Sequence, residues 1–403
     1  MGLFNRKKND SDSDKSKEKG SWRRPANTAF KQQRLKAWQP ILTPKTVLPT
    51  LFLIGFIFAP IGGLLIWGSS LVSEMSFDYT DCEKLQPSTN ASLSWSPLPS
   101  NKYSYRLRAG LDKLVPNPPR YAFLDNTANS SVDIFNERQC IVEFDIPADL
   151  KAPIYFYYGL TNFYQNHRRY VKSQNSDQLR GKYVKPETLN NSDCDPLGAT
   201  GEVAYYPCGL IANSLFNDTF YTPMLQNAQD SSQPQPYVFS SQGIAWPGEK
   251  KKYVDTPIRS GGYSNVSQIT PPPNWARRFP NGYTVDNIPK LNEDEHFQNW
   301  MRTAGLPSFT KLYGRNDQDT MHAGTYQIVI GLNFPVLPYK GTKSFVISTV
   351  SWIGGKNPFL GWAYVASAAL FILLAILGTA RHFIKPRYPS IYDFYIPGMV
   401  SNP

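Results

Sequence analysis

The sequence predicts a two-pass α-helical membrane protein with a large, mainly antiparallel β ectodomain, sandwich-like and interrupted by irregular and short helical insertions. Three observations predict it. Two long runs carry no charge, all cysteines lie between those runs, and the same stretch holds β-branched and aromatic segments bounded by Pro, Gly and Asn.

Residues 46–73 and 357–380 contain no Asp, Glu, Lys or Arg. Each exceeds the roughly 20 residues that cross a hydrocarbon core about 30 Å thick, and a buried helix of a soluble protein rarely stays uncharged for so long. The first run follows a long hydrophilic segment and is too long for the apolar part of a cleaved signal peptide, so it is expected to act as a signal anchor.

Charge sets the expected orientation. Residues 1–45 carry 12 Lys/Arg against four acids, and residues 381–403 carry three against one, so both tails are expected in the cytosol. The stretch 74–356 is nearly neutral, which makes the net charge of +11 a property of the tails. That balance reads as attraction to anionic lipid headgroups and gives no reason to expect nucleic acid.

The cysteines Cys82, Cys140, Cys194 and Cys208 then face an oxidising lumen, where two disulfides are expected. Cys208 lies 14 positions after Cys194, and a bond there would stabilise by about 3 kcal/mol in the chain-entropy treatment. Five N-x-S/T sequons, at Asn90, Asn129, Asn190, Asn217 and Asn265, share that compartment. A sixth, at Asn9, falls in the cytosolic tail as a decoy.

Residues 1–25 are charged and lack the apolar content for a core, and are expected to be a disordered tail with Ser11 and Ser13 open to phosphorylation. Residues 26–45 form a juxtamembrane arm in which Phe30, Leu35, Trp38 and Ile41 alternate with bases, an interfacial pattern. Within the first span Gly55, Ala59 and Gly63 recur every four residues and mark a face where another helix can approach; Ala363 and Ser367 repeat this more weakly in the second. Pro60 is expected to bend the first helix.

Four ectodomain segments read as strands: 141–146, 153–160, 325–334 and 342–350. The last two, a few residues apart, are expected to pair as antiparallel neighbours. Residues 292–304 read as a helix, and 196–300 otherwise as irregular chain, so 74–356 is expected to be one domain with a long insertion.

No enzyme site emerges. The four histidines, His167, His296, His322 and His382, lack metal-ligand spacing, and there is no G-x-S-x-G elbow, P-loop, dinucleotide fingerprint or C-x-x-C pair. Glu293, Asp294 and Glu295 open the predicted helix, where acids complement its dipole. No catalytic residue, metal or cofactor is therefore expected. Neither span holds Asp, Glu, Lys, Arg or His, so the chain alone lines no polar route. What is left is a binding or assembly role. The candidate contact is Thr161–Ser173, where His167, Arg168 and Arg169 sit among aromatics as a cationic patch for an acidic loop; the alternative is internal pairing of both arginines with Tyr170 in the core. Asn357-Pro-Phe359 matches an endocytic signal but lies on the lumenal side, while Tyr388-Pro-Ser-Ile391 fits a Tyr-x-x-apolar signal in the cytosolic tail.

The segments FYQNHRRYV, YPCGLIANSLFNDTF, PPPNW, PNGY, FQNWMRTA, GTKSF and GGKNPFLG carry a specific resemblance. The chain resembles the cell division control protein 50/ligand-effect modulator 3 family, non-catalytic β subunits of type IV P-type ATPase phospholipid flippases, over about residues 25 to 362. Its cytosolic arm is most similar to that of the fungal founding member. The resemblance implies an asymmetric antiparallel β ectodomain over the lumenal loops of an ATPase α subunit, two helices beside its last membrane helices, and disulfides Cys82–Cys140 and Cys194–Cys208. It also implies a role in exit from the endoplasmic reticulum and in moving phosphatidylserine or phosphatidylethanolamine from the lumenal to the cytosolic leaflet, in trans-Golgi, endosomal or plasma membranes. The alternative is a freestanding receptor or glycan-binding membrane glycoprotein.

Overall fold

A computed structural model describes residues 28–35, 43–88, 92–129, 131–227 and 233–385. Among them are two helices long and apolar enough to cross a membrane, α1 (Pro44–Ser70) and α7 (Phe359–Ile384). Five short ones lie between: α2 (Arg168–Lys172), α3 (Ser176–Leu179), α4 (Pro186–Asn190), α5 (Leu210–Asn213) and α6 (Glu295–Met301). The uncharged run of the first span outlasts its helix. Helix α1 stops at Ser70, and Val72 and Ser73 are already buried under the ectodomain. Helix α7 instead continues past the charge-free run to Ile384, with Arg381 in its last turn, where a cation complements the helix dipole.

The main strands are β1 (Glu74–Asp78), β2 (Tyr103–Arg106), β3 (Arg120–Asp125), β4 (Arg138–Ile146), β5 (Ile154–Leu160), β6 (Thr219–Phe220), β7 (Met224–Leu225), β8 (Phe309–Asn316), β9 (Gly324–Gly331) and β10 (Lys343–Thr349). One sheet runs β8-β5-β10-β1-β2. The other runs β7-β9-β4-β3, with β6 also on β9, and these pairings are all antiparallel. Alternation puts Met75 and Phe77 of β1 inward while Glu74, Ser76 and Asp78 face out. Between the sheets Phe77 meets Phe144 of β4 at 4.8 Å between ring centroids, and Phe144 meets Phe345 of β10 at 5.5 Å. Cys82–Cys140 ties the segment after β1 to β4, across the same core.

The expected pairing of 325–334 with 342–350 is wrong. Strand β9 pairs with β4, β6 and β7, whereas β10 pairs with β1 and β5 in the opposite sheet. The connection crosses the sandwich because Phe334 and Val336 within it are buried. A second aromatic cluster, built largely from residues 158–301, includes Tyr206, Trp275, Phe297 and Trp300 and holds the Cys194–Cys208 bond.

Two compact units divide the chain: residues 55–370, with the ectodomain and the adjoining parts of both long helices, and residues 1–54 with 371–403. In the latter, Leu48 lies against Gly378 so closely that a Cβ there would meet it at 2.6 Å.

A buried ion pair joins the two sheets. Lys343, first residue of β10, sets its Nζ 2.9 Å from Asp218 Oδ2, and both side chains are essentially inaccessible. The Tyr79 hydroxyl donates to the same oxygen at 2.9 Å, and the backbone amides of Asn333 and Phe334 donate to Asp218 Oδ1. Lys343 Nζ also donates to Phe334 O at 2.9 Å. With its charge balanced and its lone pairs filled, the pair meets the conditions under which a buried salt bridge is tolerable. Burial and the Asp218 carboxylate push the Tyr79 phenol far above its ordinary range, so it stays a donor. Replacing Lys343→Met should destabilise the chain by about 3–5 kcal/mol, because a buried carboxylate loses its counter-charge. Thermal unfolding of the detergent-solubilised protein measures this; a loss no larger than that of an exposed Lys→Met change would refute it.

Candidate partner-binding surface

The helix faces come first, since the spans carry no polar chemistry. In residues 55–370, Gly62 rather than Gly63 meets the second helix: a Cβ at Gly62 would lie 2.7 Å from Val365 Cγ2 and 2.9 Å from Gly361 O. Gly361 answers from α7, where a Cβ would lie 2.6 Å from Ile66 Cγ1. Phe58 and Tyr364 add a ring contact at 5.0 Å. Gly55 is buried, but Ala59 and Gly63 are exposed, and nothing lies within 4 Å of the position of a Gly63 Cβ. The sequence stripe is therefore split. The face used within the chain carries Gly55, Gly62 and Ser69, all buried, and the face left open carries Ala59 and Gly63 with Phe56 and Trp67 exposed nearby. Ala363 and Ser367 are only half-buried, while Gly361 and Ala368 are the buried small residues of α7 in this unit.

The register of the first sheet fixes how the helices emerge. Glu74, four residues after α1, pairs with Ser348, which leads through ten residues to α7. Lys356 closes this end, donating to Val72 O at 2.8 Å and Leu107 O at 3.0 Å. Partial burial, with the Arg106 guanidinium nearby, holds its ammonium below the usual lysine range. At the start of α7 the Asn357 side chain accepts from Phe359 N at 3.2 Å, so Asn357-Pro-Phe359 is a helix start.

The cationic patch lies at the opposite end. Ile154 pairs with Thr349 and Leu160 with Lys343, so β5 runs away from the helices for about 20 Å before the chain enters Thr161–Ser173. His167 precedes α2 and is exposed. Arg169 pairs with Asp195 at 2.8 Å, both side chains more than half exposed, a contact worth under about 1 kcal/mol. Arg168 is exposed and makes no ion pair among the described residues. Tyr170 packs edge-on against Phe163 and bonds Ser214 Oγ at 2.8 Å. The segment is thus divided: Tyr170 turns inward and Arg169 pairs, while His167 and Arg168 are exposed.

The other distinctive motifs converge on the short helix α5. Trp275 of PPPNW donates its indole N–H to Ala212 O at 2.9 Å, and Trp300 of FQNWM donates to Ile211 O at 2.8 Å. Gly209 opens that helix with φ +98, and a Cβ there would lie 2.1 Å from Ser173 O, so only glycine fits. Lys311 is buried and donates to the carbonyls of Asn299 and Arg302, capping α6; burial brings its pKa down to about 8. At the other end Asp294 caps α6 through Phe297 N at 2.9 Å, and Glu295 accepts from Gly243 N and Ala245 N. Of the three acids, Asp294 serves the helix start as expected, while Glu295 ties it to the 243–245 segment and Glu293 lies 3.8 Å from Lys290. Sequence reasoning missed Asp218, Lys343 and Lys356; a lysine inside an otherwise apolar strand run was the available signal. Trp38 and Asn90, and the Tyr388–Ile391 motif, lie outside the described residues.

Residues 65–388 match the model of the LEM3 (ligand-effect modulator 3) family / CDC50 family. The chain belongs to that family. It is 42% identical over 365 residues to the phospholipid-transporting ATPase accessory subunit CRF1 of Saccharomyces cerevisiae, covering 91% of this chain and 86% of that one. To the phospholipid-transporting ATPase accessory subunit CDC50 of Chaetomium thermophilum it is 41% identical over 373 residues, covering 90% and 88%. To cell cycle control protein 50A of Mus musculus it is 39% identical over 366 residues, covering 88% of each.

For this family member the two helix faces make separable predictions. Gly62→Val should disturb the contact with α7 and lower the unfolding temperature, by an overpacking cost of about 1–3 kcal/mol. Ala59→Leu and Gly63→Leu should leave the unfolding temperature unchanged. Comparable destabilisation by all three substitutions would show that the open face is used within the chain.

Proposed function

We propose that this chain is the non-catalytic accessory subunit of a phospholipid-transporting type IV P-type ATPase. The observation that carries the reading is 40–42% identity, over 88–91% of this chain and 82–88% of theirs, to proteins named as such accessory subunits. In this reading both tails are cytosolic and the ectodomain is lumenal. The ectodomain caps the lumenal loops of the ATPase, and the Ala59/Gly63 face of α1 lies along its membrane helices, where small residues allow close approach. The ATPase hydrolyses ATP and moves phosphatidylserine or phosphatidylethanolamine toward the cytosolic leaflet. The accessory chain stabilises it and permits exit from the endoplasmic reticulum toward the trans-Golgi network and endosomes. The sequons Asn90, Asn129, Asn190, Asn217 and Asn265 carry sugar, and Trp38 anchors the cytosolic arm at the headgroups.

In this reading Arg168, with His167 beside it, meets a projecting lumenal loop, where a desolvated Arg against a carboxylate contributes bidentate hydrogen bonds. Affinity purification of the chain in mild detergent should recover a much larger polypeptide bearing P-type ATPase motifs. Arg168→Glu should lower that recovery without changing the unfolding temperature, whereas Arg169→Glu should affect both slightly. Recovery of the chain alone, with normal delivery from the endoplasmic reticulum, refutes the accessory role and favours a freestanding receptor. Undiminished recovery with Arg168→Glu removes only the patch from the interface.

A further inference from the structure

Exposed aromatic residues cluster at the ectodomain ends of the two long helices. Trp67 lies in the last turn of α1, and Phe359 and Trp362 lie in the first turn of α7. Trp352, also exposed, lies against α1 at Gly68, where a Cβ would meet its indole nitrogen at 3.2 Å. Tryptophan collects where hydrocarbon gives way to headgroups, so these rings mark the level of one bilayer surface on the structure.

The chain between β2 and β3 is tied to that level. The Ala109 amide donates at 2.9 Å to the carbonyl of Ser70, the last residue of α1, and the Arg108 amide donates at 3.0 Å to Ser73 Oγ. Leu107 O accepts from Lys356 at 3.0 Å. At the far end of the loop the Asn117 amide and side-chain nitrogen both donate to Asp145 Oδ2. Between these anchors the chain turns, with Leu114 N donating to Leu111 O at 3.0 Å and Leu111 packed against the core. Past that turn Val115 is 94% exposed and Leu114 42%, and Leu71, next to Ser70, is exposed as well. Scattered apolar side chains on a surface need no explanation, but these belong to a loop bonded to the end of a membrane helix.

Cations flank the apolar tip. Arg108 and Lys113 are exposed and form no ion pair among the described residues, whereas Arg106 is taken by Glu74. The acid within the loop, Asp112, accepts from Gly110 N at 3.1 Å and so serves the loop's own backbone. An aliphatic tip with a basic collar matches the boundary of a bilayer: the tip enters among headgroups and upper acyl chains, and the bases meet phosphates, Arg in bidentate fashion.

We propose that residues 107–117 form a membrane-binding loop. Leu114 and Val115 insert into the headgroup layer of the leaflet from which the ectodomain rises, and Arg108 and Lys113 bind phospholipid phosphates there. The ectodomain thereby gains a third attachment to the bilayer beside its two helices. This rests on α1 and α7 crossing the membrane and not on the identity of the partner.

The test places the photo-crosslinking residue p-benzoylphenylalanine at position 115 of the full-length chain. The chain, with its co-purifying partner, is reconstituted into vesicles of phosphatidylcholine and phosphatidylserine and irradiated, and the peptide carrying position 115 is analysed by mass spectrometry. It should gain the mass of a phospholipid. The same residue at Val285, which is also exposed but lies in the second aromatic cluster's segment, should gain none. Arg108→Ala combined with Lys113→Ala should lower the lipid adduct at position 115 while leaving the unfolding temperature in detergent unchanged, as should Leu114→Asp. Cross-linking of position 115 to the partner polypeptide instead of lipid overturns the proposal, as does a position that yields neither adduct. Equal lipid adducts at 115 and 285 also overturn it, since the probe's own apolar ring would then account for both. An adduct that survives the double alanine variant undiminished refutes the phosphate contacts.

Discussion

The ectodomain depends on one buried charge. Asp218 collects donors from both sheets and both ends of the fold: the ammonium of Lys343 at the head of β10, the hydroxyl of Tyr79 just after β1, and the backbone amides of Asn333 and Phe334 just after β9. A bare carboxylate at that depth would cost several kcal/mol, so the fold is acceptable only when all of these groups arrive together. Such a site favours one arrangement over near alternatives. If β10 slipped by one residue, Lys343 would leave the interior and Ser344 would replace it, giving the carboxylate no counter-charge. The register that satisfies Asp218 is the register that sets Glu74 opposite Ser348 at the other end of the same two strands.

That second consequence reaches the membrane. Strands β1 and β10 are neighbours about 4.8 Å apart, and each leads by a short connection into a long helix. Helices 8–10 Å apart are ordinary, and closer approach demands small residues. Gly62 and Gly361 supply them where the two helices meet, and Lys356 holds the junction through carbonyls at the end of α1 and the end of β2. A partner that docks on this chain therefore meets a surface already ordered. The ordering entropy has been met by the chain's own fold, and more of the contact energy appears as affinity.

The membrane helices and four of the strands were legible because length without charge and β-branched, aromatic runs are direct signals. Strands β1, β2, β3, β6, β7 and β8 were not. Strand β1 is hidden at the end of an uncharged run, and FTKLYGRN looks polar although Lys311 is buried, its ammonium serving two helix-end carbonyls. The β9–β10 hairpin failed for a different reason. Consecutive strands usually pair, but here the connection carries three buried apolar side chains, Leu332, Phe334 and Val336, and the two amides that Asp218 requires, so it spans the sandwich. The surviving fragments of the patch, His167 and Arg168, were named in the sequence, but nothing in it revealed that Asp195 takes only one of the two arginines.

The small-residue stripe shows why spacing alone misassigns a helix face. At about 100° per residue, steps of four advance the face by about 40° each, so Gly63 sits about 80° around the helix from Gly55. Steps of seven fall back by only about 20°, and Gly55, Gly62 and Ser69 therefore stay on one side. Three of the four buried residues of α1, Gly55, Gly62 and Ser69, follow the second pattern, while the fourth, Gly68, is covered from another side by Trp352 and Ile353. The residues at steps of four wind away from the side of Gly62 and leave Ala59 and Gly63 facing outward. One helix can thus pack against its own second span and still leave Ala59 and Gly63 exposed.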